Sequence, residues 1–417
     1  MRWTIGWKTP KLRVRTVRSR AAVKGTVPTE QIGPALAPSA GQPGPVATAL
    51  GGLIAIAAGL GIGRFVYTPI LPPMIEALGL TKSQAGLIAS ANFAGYLIGA
   101  LLAATPGLAG SRRLWLLGAL AMSGVTTAAM GLTHSVTAFL VLRALGGAAS
   151  AFVLIFSSAV VLERLAVAGR SGLSALHFAG VGSGIALSAA LVAELLQLGQ
   201  SWQSLWLASG GLTIAALVAA AMLLPDSSAA TDDSGPRPNR GPDRNLQRLA
   251  IAYGLFGFGY VITATFLVAI VRATPAIRTM EPVIWVVFGI AAVPSVALWT
   301  RLAASLGIPT TFAAACVVEA AGVLASVIWP SAPGVFVAAV LVGGTFMGLT
   351  ALGLMGARAR ATDDPRRAIA LMTGAFGVGQ IVGPLFAGIL SDHLGSFMTP
   401  SIVAALALVI AAGLAAM

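Results

Sequence analysis

Two arginines, Arg64 and Arg143, stand inside long apolar stretches of this 417-residue sequence. An ionisable side chain in such a stretch is costly, which makes it a functional candidate by default. A pair of guanidiniums can hold a carboxylate or phosphate through bidentate N–H donors. The competing reading is a long side chain that reaches for the nearest polar surface or bonds to backbone carbonyls. Glu319 also lies in the middle of an apolar run. A carboxyl there can take up and release a proton; the alternative is a neutral, hydrogen-bonded structural residue. His177 can titrate near neutrality or sit packed and neutral. Tyr67, Tyr260 and Gln380 are neutral groups able to hydrogen-bond a solute, and Asn92 and Tyr96 share one helix face at i, i+4. Anion binding, proton exchange and hydrogen bonding to a small organic molecule are thus available. The three histidines, His134, His177 and His393, lack metal-ligand spacing, and Cys316 is the one cysteine. With no nucleophile elbow or catalytic dyad either, no enzyme, metal or cofactor is expected.

The elements that carry these residues are dictated by composition. The chain is 57% hydrophobic and 9% charged, against roughly 25% charged in soluble domains. So few charges cannot cover a water-facing surface. Apolar runs occupy 47–71, 83–104, 114–132, 136–160, 172–196, 202–224, 249–271, 282–304, 309–328, 334–357, 368–390 and 397–416. Each is near the ~20 residues that cross a bilayer as helix. They are continuous rather than alternating, so they form helices and not a closed barrel. Arg64 and Arg143 each fall about seven residues, or ~10 Å of helix, from the outer end of their runs. Pro69, Pro72 and Pro73 are expected to end or kink the first run there.

Charge distribution sets the expected topology. With the N-terminus inside, inner loops hold 13 Lys/Arg and outer loops hold 3, Lys82, Arg272 and Arg278. That bias places both termini on the cytoplasmic side. The same placement accounts for the net charge of +13 without nucleic acid. Residues 1–45 are basic, then Pro/Gly/Ala-rich; they read as a disordered tail or an upstream-start artefact, with a targeting peptide as the alternative. Residues 225–248 read as a flexible cytoplasmic linker between six-helix bundles at 46–224 and 249–417.

The two halves echo one another. GIGRFVYT at 61–68 aligns with GFGYVITA at 257–264 at an offset of 196. LRALGGA at 142–148 aligns with VLVGGT at 340–345, and AGVGSG at 179–184 with FGVGQI at 376–381, both at 197. Three ordered matches at one spacing point to a duplicated six-helix unit, the architecture of transporters that rock two bundles about a central site.

At these residues the chain resembles the major facilitator superfamily, and within it the YbfB/YjiJ-type branch of bacterial permeases. The motifs are GIGRFVYTPILPPM at 61–74, ANFAGYLIGALLA at 91–103, HFAGVGSGIALS at 177–188, GGTFMGLTALG at 343–353 and AFGVGQIVGPLFAGILSDHLG at 375–395. VLRALGGAASA at 141–151 is similar to the fourth-helix motif of proton-linked members. Ala103 and Ala104 stand where the superfamily's loop 2–3 motif has Asp and Arg, and 180–186 lacks the proline of the antiporter motif. The resemblance implies an all-α fold of twelve transmembrane helices in two pseudo-symmetric bundles. It also implies a cavity lined by the first, fourth, seventh and tenth helices, which would bring Arg64 and Arg143 to one space, while the ninth helix, with Glu319, would be peripheral. The expected substrate-binding residues are Arg64, Arg143, Tyr67, Tyr260, Asn92 and Gln380; the expected proton-coupling residues are Glu319 and His177. The expected activity is proton-coupled secondary transport of a small organic solute by a monomer in a lipid bilayer, in the efflux direction. Uptake of an anionic metabolite and a non-transporting receptor are the alternatives.

Overall fold

The computed structural model of the chain describes residues 43–105, 110–225, 244–360 and 365–417, the side chains of 365 and 366 excepted. The expected tail and most of the expected linker lie outside these residues. No strand occurs among the described residues. Twelve helices are long and apolar enough to cross a bilayer: α1 Pro45–Leu78, α2 Lys82–Ala103, α3 Arg112–Leu132, α4 Val136–Val167, α5 Ser171–Gln197, α6 Trp202–Leu223, α7 Arg244–Ala273, α8 Pro275–Ala292, α9 Ile308–Ile328, α10 Ala332–Arg360, α11 Arg367–Leu394 and α12 Met398–Ala416. The chain is a multi-pass membrane protein. After a break at Val293 and Pro294, α8 continues as Ser295–Leu306. Proline removes the N–H that residue 290 would otherwise bind.

One boundary differs from expectation in a way that matters. The first span does not end at its prolines but runs on to Leu78 with Pro72 and Pro73 inside it. The irregular turn lies upstream. Ala57–Ile62 form a π-helical turn in which the Gly63 N–H reaches Ala58 O at 2.9 Å. Pro69 has no N–H for the Phe65 carbonyl, which the Thr68 N–H takes instead at 3.2 Å. The chain therefore tightens just before Pro69, which becomes a first-turn residue of the next helical stretch, where a missing donor costs little. In consequence Arg64 lies not ~10 Å but roughly 20 Å of helix from the Leu78 end of its span, near the middle of the membrane.

Extensive packing between the two halves, among the described residues, joins α2 to α11, α5 to α8 and α1 to α7. Exchanging the halves turns the first pair into the second and leaves the third unchanged, as a pseudo-two-fold requires. The axis is marked by a single contact. The Thr68 hydroxyl donates to Ala264 O at 2.7 Å, and these residues are equivalent at the repeat spacing of 196. The interfaces are close because they are built from small residues. A Cβ on Gly86 would stand 2.2 Å from Pro384 O, and one on Gly388 2.3 Å from Lys82 O. Gly182 and Gly289 bring α5 and α8 together in the same way. Other glycines of the AGVGSG and FGVGQI motifs pack helices within a half: Gly180 and Gly184 face α1, and Gly379 faces α7.

Candidate functional site

Mid-membrane, the π-helical turn of α1 and the tight turn after it free backbone carbonyls, and α4 answers them. The Arg143 Nη1 donates to Gly63 O and Nη2 to Arg64 O, each at 2.9 Å, while the Ser150 hydroxyl donates to Gly59 O at 2.6 Å. Charge-assisted bonds of this kind contribute about 1.5–3 kcal/mol each. The backbone reading of Arg143, open at the sequence level, is the one its geometry matches. Asn92 and Tyr67 are also held by backbone: Asn92 Nδ2 donates to Arg143 O at 2.9 Å and the Tyr67 hydroxyl to Ala85 O at 2.8 Å. Both bonds tie α2 to its neighbours.

Arg64 is different. It is 6% exposed, and its Nε and Nη2 have no hydrogen-bond partner. Its guanidinium rests on aromatic faces, 4.4 Å from the Tyr96 ring centroid, 4.6 Å from Phe93 and 5.5 Å from Phe65. No carboxylate pairs with it among the described residues. Arg64 and Arg143 do border one cavity, as the helix assignment implied, together with Phe65, Thr68, Phe93 and Thr265. In this conformation that cavity measures about 10 Å³, room for about one water.

The C-terminal half supplies an aromatic wall. Tyr260 stacks on Phe346 at 5.7 Å and 13° and on Phe376 at 5.9 Å and 4°. Phe65 crosses from the other half to meet Phe346 edge-on at 5.9 Å. The Gln380 amide hydrogen-bonds the Tyr260 hydroxyl. Both Arg64 and Glu319 lie within electrostatic range of that hydroxyl. Phe65, Phe93 and Phe376 were not singled out by sequence, because an aromatic in an apolar helix reads as packing until a charge is seen to rest on it.

The two expected proton-coupling residues part company. Glu319, fully buried on α9, has both carboxyl oxygens without a hydrogen-bond partner. Thr345 on α10 stands beside it, but the Thr345 hydroxyl donates to Leu341 O at 2.6 Å. His177, also fully buried, lies apart from this cluster. It packs on Gly52, where a Cβ would come within 2.4 Å of its Nδ1, and its Nε2 lies 3.3 Å from the Ser158 hydroxyl. No group of residues suited to a metal ion occurs among the described residues.

The halves are fastened at two places at the end of the bundle where α1 passes into α2 and α11 into α12. Asp392 on α11 accepts from the N–H groups of Lys82 and Ser83 at 3.0 and 2.8 Å and from the Ser83 hydroxyl. Thr81 caps the Gln84 N–H at 3.1 Å. Asp392 therefore completes the N-terminal cap of a helix in the other half, satisfying donors that no residue of α2 reaches. The second fastening is Arg272 of α7, with Glu76 of α1 at 2.9 Å and Glu281 of α8 at 3.2 Å.

Twelve helices in two packed halves, a charged cluster at mid-membrane and fastenings between the halves at one end define a transporter of the major facilitator fold. The chain belongs to the family described as "Uncharacterised MFS-type transporter YbfB", whose model matches residues 56–416. That family and the similar solved structures are transporters, not enzymes. The nucleoside transporter NupG superposes with a TM-score of 0.65 at 13% identity, covering 89% of this chain and 98% of that one. A bacterial homolog of the human lysosomal transporter Spinster gives 0.66 at 15%, covering 89% and 95%. The human organic anion transporter MFSD10 gives 0.62 at 14%, covering 90% and 100%. At these identities the likeness is one of fold. No curated protein sequence matches the chain.

Proposed function

We propose that this protein moves a small organic solute outward across a bacterial inner membrane by rocking its two halves about the mid-membrane cluster, in exchange for protons. Both termini lie in the cytoplasm in this reading, the bundles meet at a linker over 225–248, and the working unit is a monomer. The observation that carries it is the pairing of a fastened outer side with ionisable groups sealed at mid-membrane. Breaking the outer fastenings and forming others opens the site to the opposite face. Glu319 serves as the proton site, because a carboxyl without a hydrogen-bond partner has an uncompensated charge when ionised and none when protonated. His177, packed on Gly52 away from the cluster, is assigned a minor part at most.

A second reading, uptake of an anionic metabolite, is favoured by one feature, the guanidinium of Arg64 without an acid. The two share a mechanism and differ in direction. Purified protein in proteoliposomes tests both: solute flux that accelerates with an imposed pH gradient supports proton coupling, and the sign of the gradient that drives accumulation gives the direction. Flux that follows only the solute's own gradient makes the protein a uniporter and removes Glu319 from the mechanism.

A further inference from the structure

Resting on the transport reading, the mid-membrane cluster also names the chemistry of what is carried. We propose that the solute is a planar aromatic carboxylate, whose carboxylate pairs with Arg64 and whose ring enters the aromatic wall at the interface of the halves.

The argument begins with charge. Arg64 is buried near the middle of a membrane span, and its Nε and Nη2 have no partner. Rings of Tyr96, Phe93 and Phe65 surround it at 4.4–5.5 Å. A cation–π contact offsets only part of the desolvation cost of a buried guanidinium. The rings hold the charge without neutralising it. A carboxylate supplies what is missing, two parallel N–H···O bonds in the geometry of the guanidinium edge. Arg143 borders the same cavity, but its two Nη atoms are committed to the carbonyls of Gly63 and Arg64. One available guanidinium edge suits a monoanion better than a phosphate dianion.

The rest of the solute is dictated by the wall. Phe65 of one half meets Phe346 of the other, and Tyr260, Phe346 and Phe376 present near-parallel faces. The cavity of about 10 Å³ admits no ring in this conformation. Because the Phe65–Phe346 contact crosses between the halves, rocking them apart opens a slot bounded by flat apolar faces with the Arg64 edge beside it. A flat ring with a carboxylate attached matches both at once. A saturated ring of similar size loses the offset-stacked contact.

The test uses the full chain in lipid nanodiscs and three probes of similar size: benzoate, benzamide and cyclohexanecarboxylate. Affinity is read by thermal shift and by calorimetry. Benzoate is expected to bind at least about ten-fold more tightly than benzamide, the equivalent of 1.4 kcal/mol, and several-fold more tightly than cyclohexanecarboxylate. Arg64→Ala should abolish the preference for benzoate over benzamide; Arg64→Lys should keep a reduced one. Phe65→Leu, which keeps the charge, should shrink only the preference over the saturated acid. If Arg64→Ala fails to fold, the Lys and Leu variants still decide the matter. Equal binding of benzoate and benzamide, benzoate binding unchanged in Arg64→Lys and Phe65→Leu, or no binding of any probe at millimolar concentration overturns the assignment. The transport reading then stands or falls on flux of other solutes. Conversely, selective benzoate binding without benzoate counterflow in proteoliposomes leaves the site assigned and sinks the transport reading.

Discussion

At the residue scale, four buried polar side chains that look alike in the sequence have four different surroundings. Arg143 is bonded through both Nη atoms to backbone, Arg64 lies on aromatic rings, Glu319 has no hydrogen-bond partner, and His177 fills a notch over Gly52. Polar side chains in hydrocarbon must be partnered or functional, and the two of these four that leave two polar atoms each without a hydrogen-bond partner are Arg64 and Glu319. Glu319→Gln keeps the shape and removes the proton site. It is expected to abolish pH-gradient-driven flux while leaving solute exchange at zero gradient within about two-fold; by the arithmetic of rates that is under 0.5 kcal/mol of barrier. Loss of both activities together would make Glu319 a packing residue. The candidates themselves were legible from sequence, since an ionisable residue inside an apolar run announces itself. Which of them was spent on backbone was not, because that depends on where a carbonyl of α1 loses its own partner.

At the element scale, α1 is the helix that departs from regularity, and its neighbours are built around that departure. Pro69 diverts the Phe65 carbonyl, the π-helical turn at Ala57–Ile62 shifts the ladder, and Arg143 and Ser150 of α4 bind the carbonyls thus freed. Arg143 is a positioning residue for this turn, and through it for Arg64. Arg143→Leu should destabilise the protein by about 3 kcal/mol, since two buried carbonyls lose charged donors, and Arg143→Lys by about half as much. Denaturation in detergent measures both. An Arg143→Leu protein of unchanged stability that no longer transports would return Arg143 to the substrate-binding set. The prolines told the reader of the sequence that α1 is irregular, but the break was expected at its outer end. A proline acts on the carbonyl four residues upstream, so the turn sits at 63–66 and α1 reaches Leu78. That displacement carries Arg64 from snorkelling distance to mid-membrane.

At the scale of the whole molecule, the pseudo-symmetry is real but the seals at the Asp392 end are not equivalent. Asp392 caps α2 on one side of the axis. At the repeat spacing of 197 the equivalents of Asp392 and Lys82 are Leu195 and Thr279, which cannot form that cap. The α5–α8 side instead keeps a pocket of about 270 Å³, lined by Pro69, Val192, Gln197, Arg272, Glu281 and Trp285. The α2–α11 cap and the Arg272–Glu76 pair therefore carry the closure at this end. Asp392→Asn loses the negative charge at that helix N-terminus and one of its two acceptor oxygens, a change of about 1 kcal/mol, and should raise the population open at this end about five-fold. Thr265→Cys, which borders the mid-membrane cavity, reports it, because the native Cys316 is fully buried. Labelling of Thr265→Cys by an impermeant maleimide added on the Asp392 side should accelerate in the Asp392→Asn background. Equal rates would show that Asp392 caps a helix without holding the halves.

The sequence by itself determined the solvent, the number of spans and the duplication. Hydropathy is additive along the chain and a bilayer has a fixed thickness, so composition and run length suffice for these. It also named the polar residues worth following. Only the tertiary structure decided what each of them touches. Thr68 meets Ala264 across 196 residues, Asp392 meets Lys82 across 310, and Arg143 meets Gly63 across 80. Hydrogen bonds, stacked rings and the compensation of a buried charge depend on distances of a few ångströms between segments far apart in the chain, and no local pattern encodes those distances.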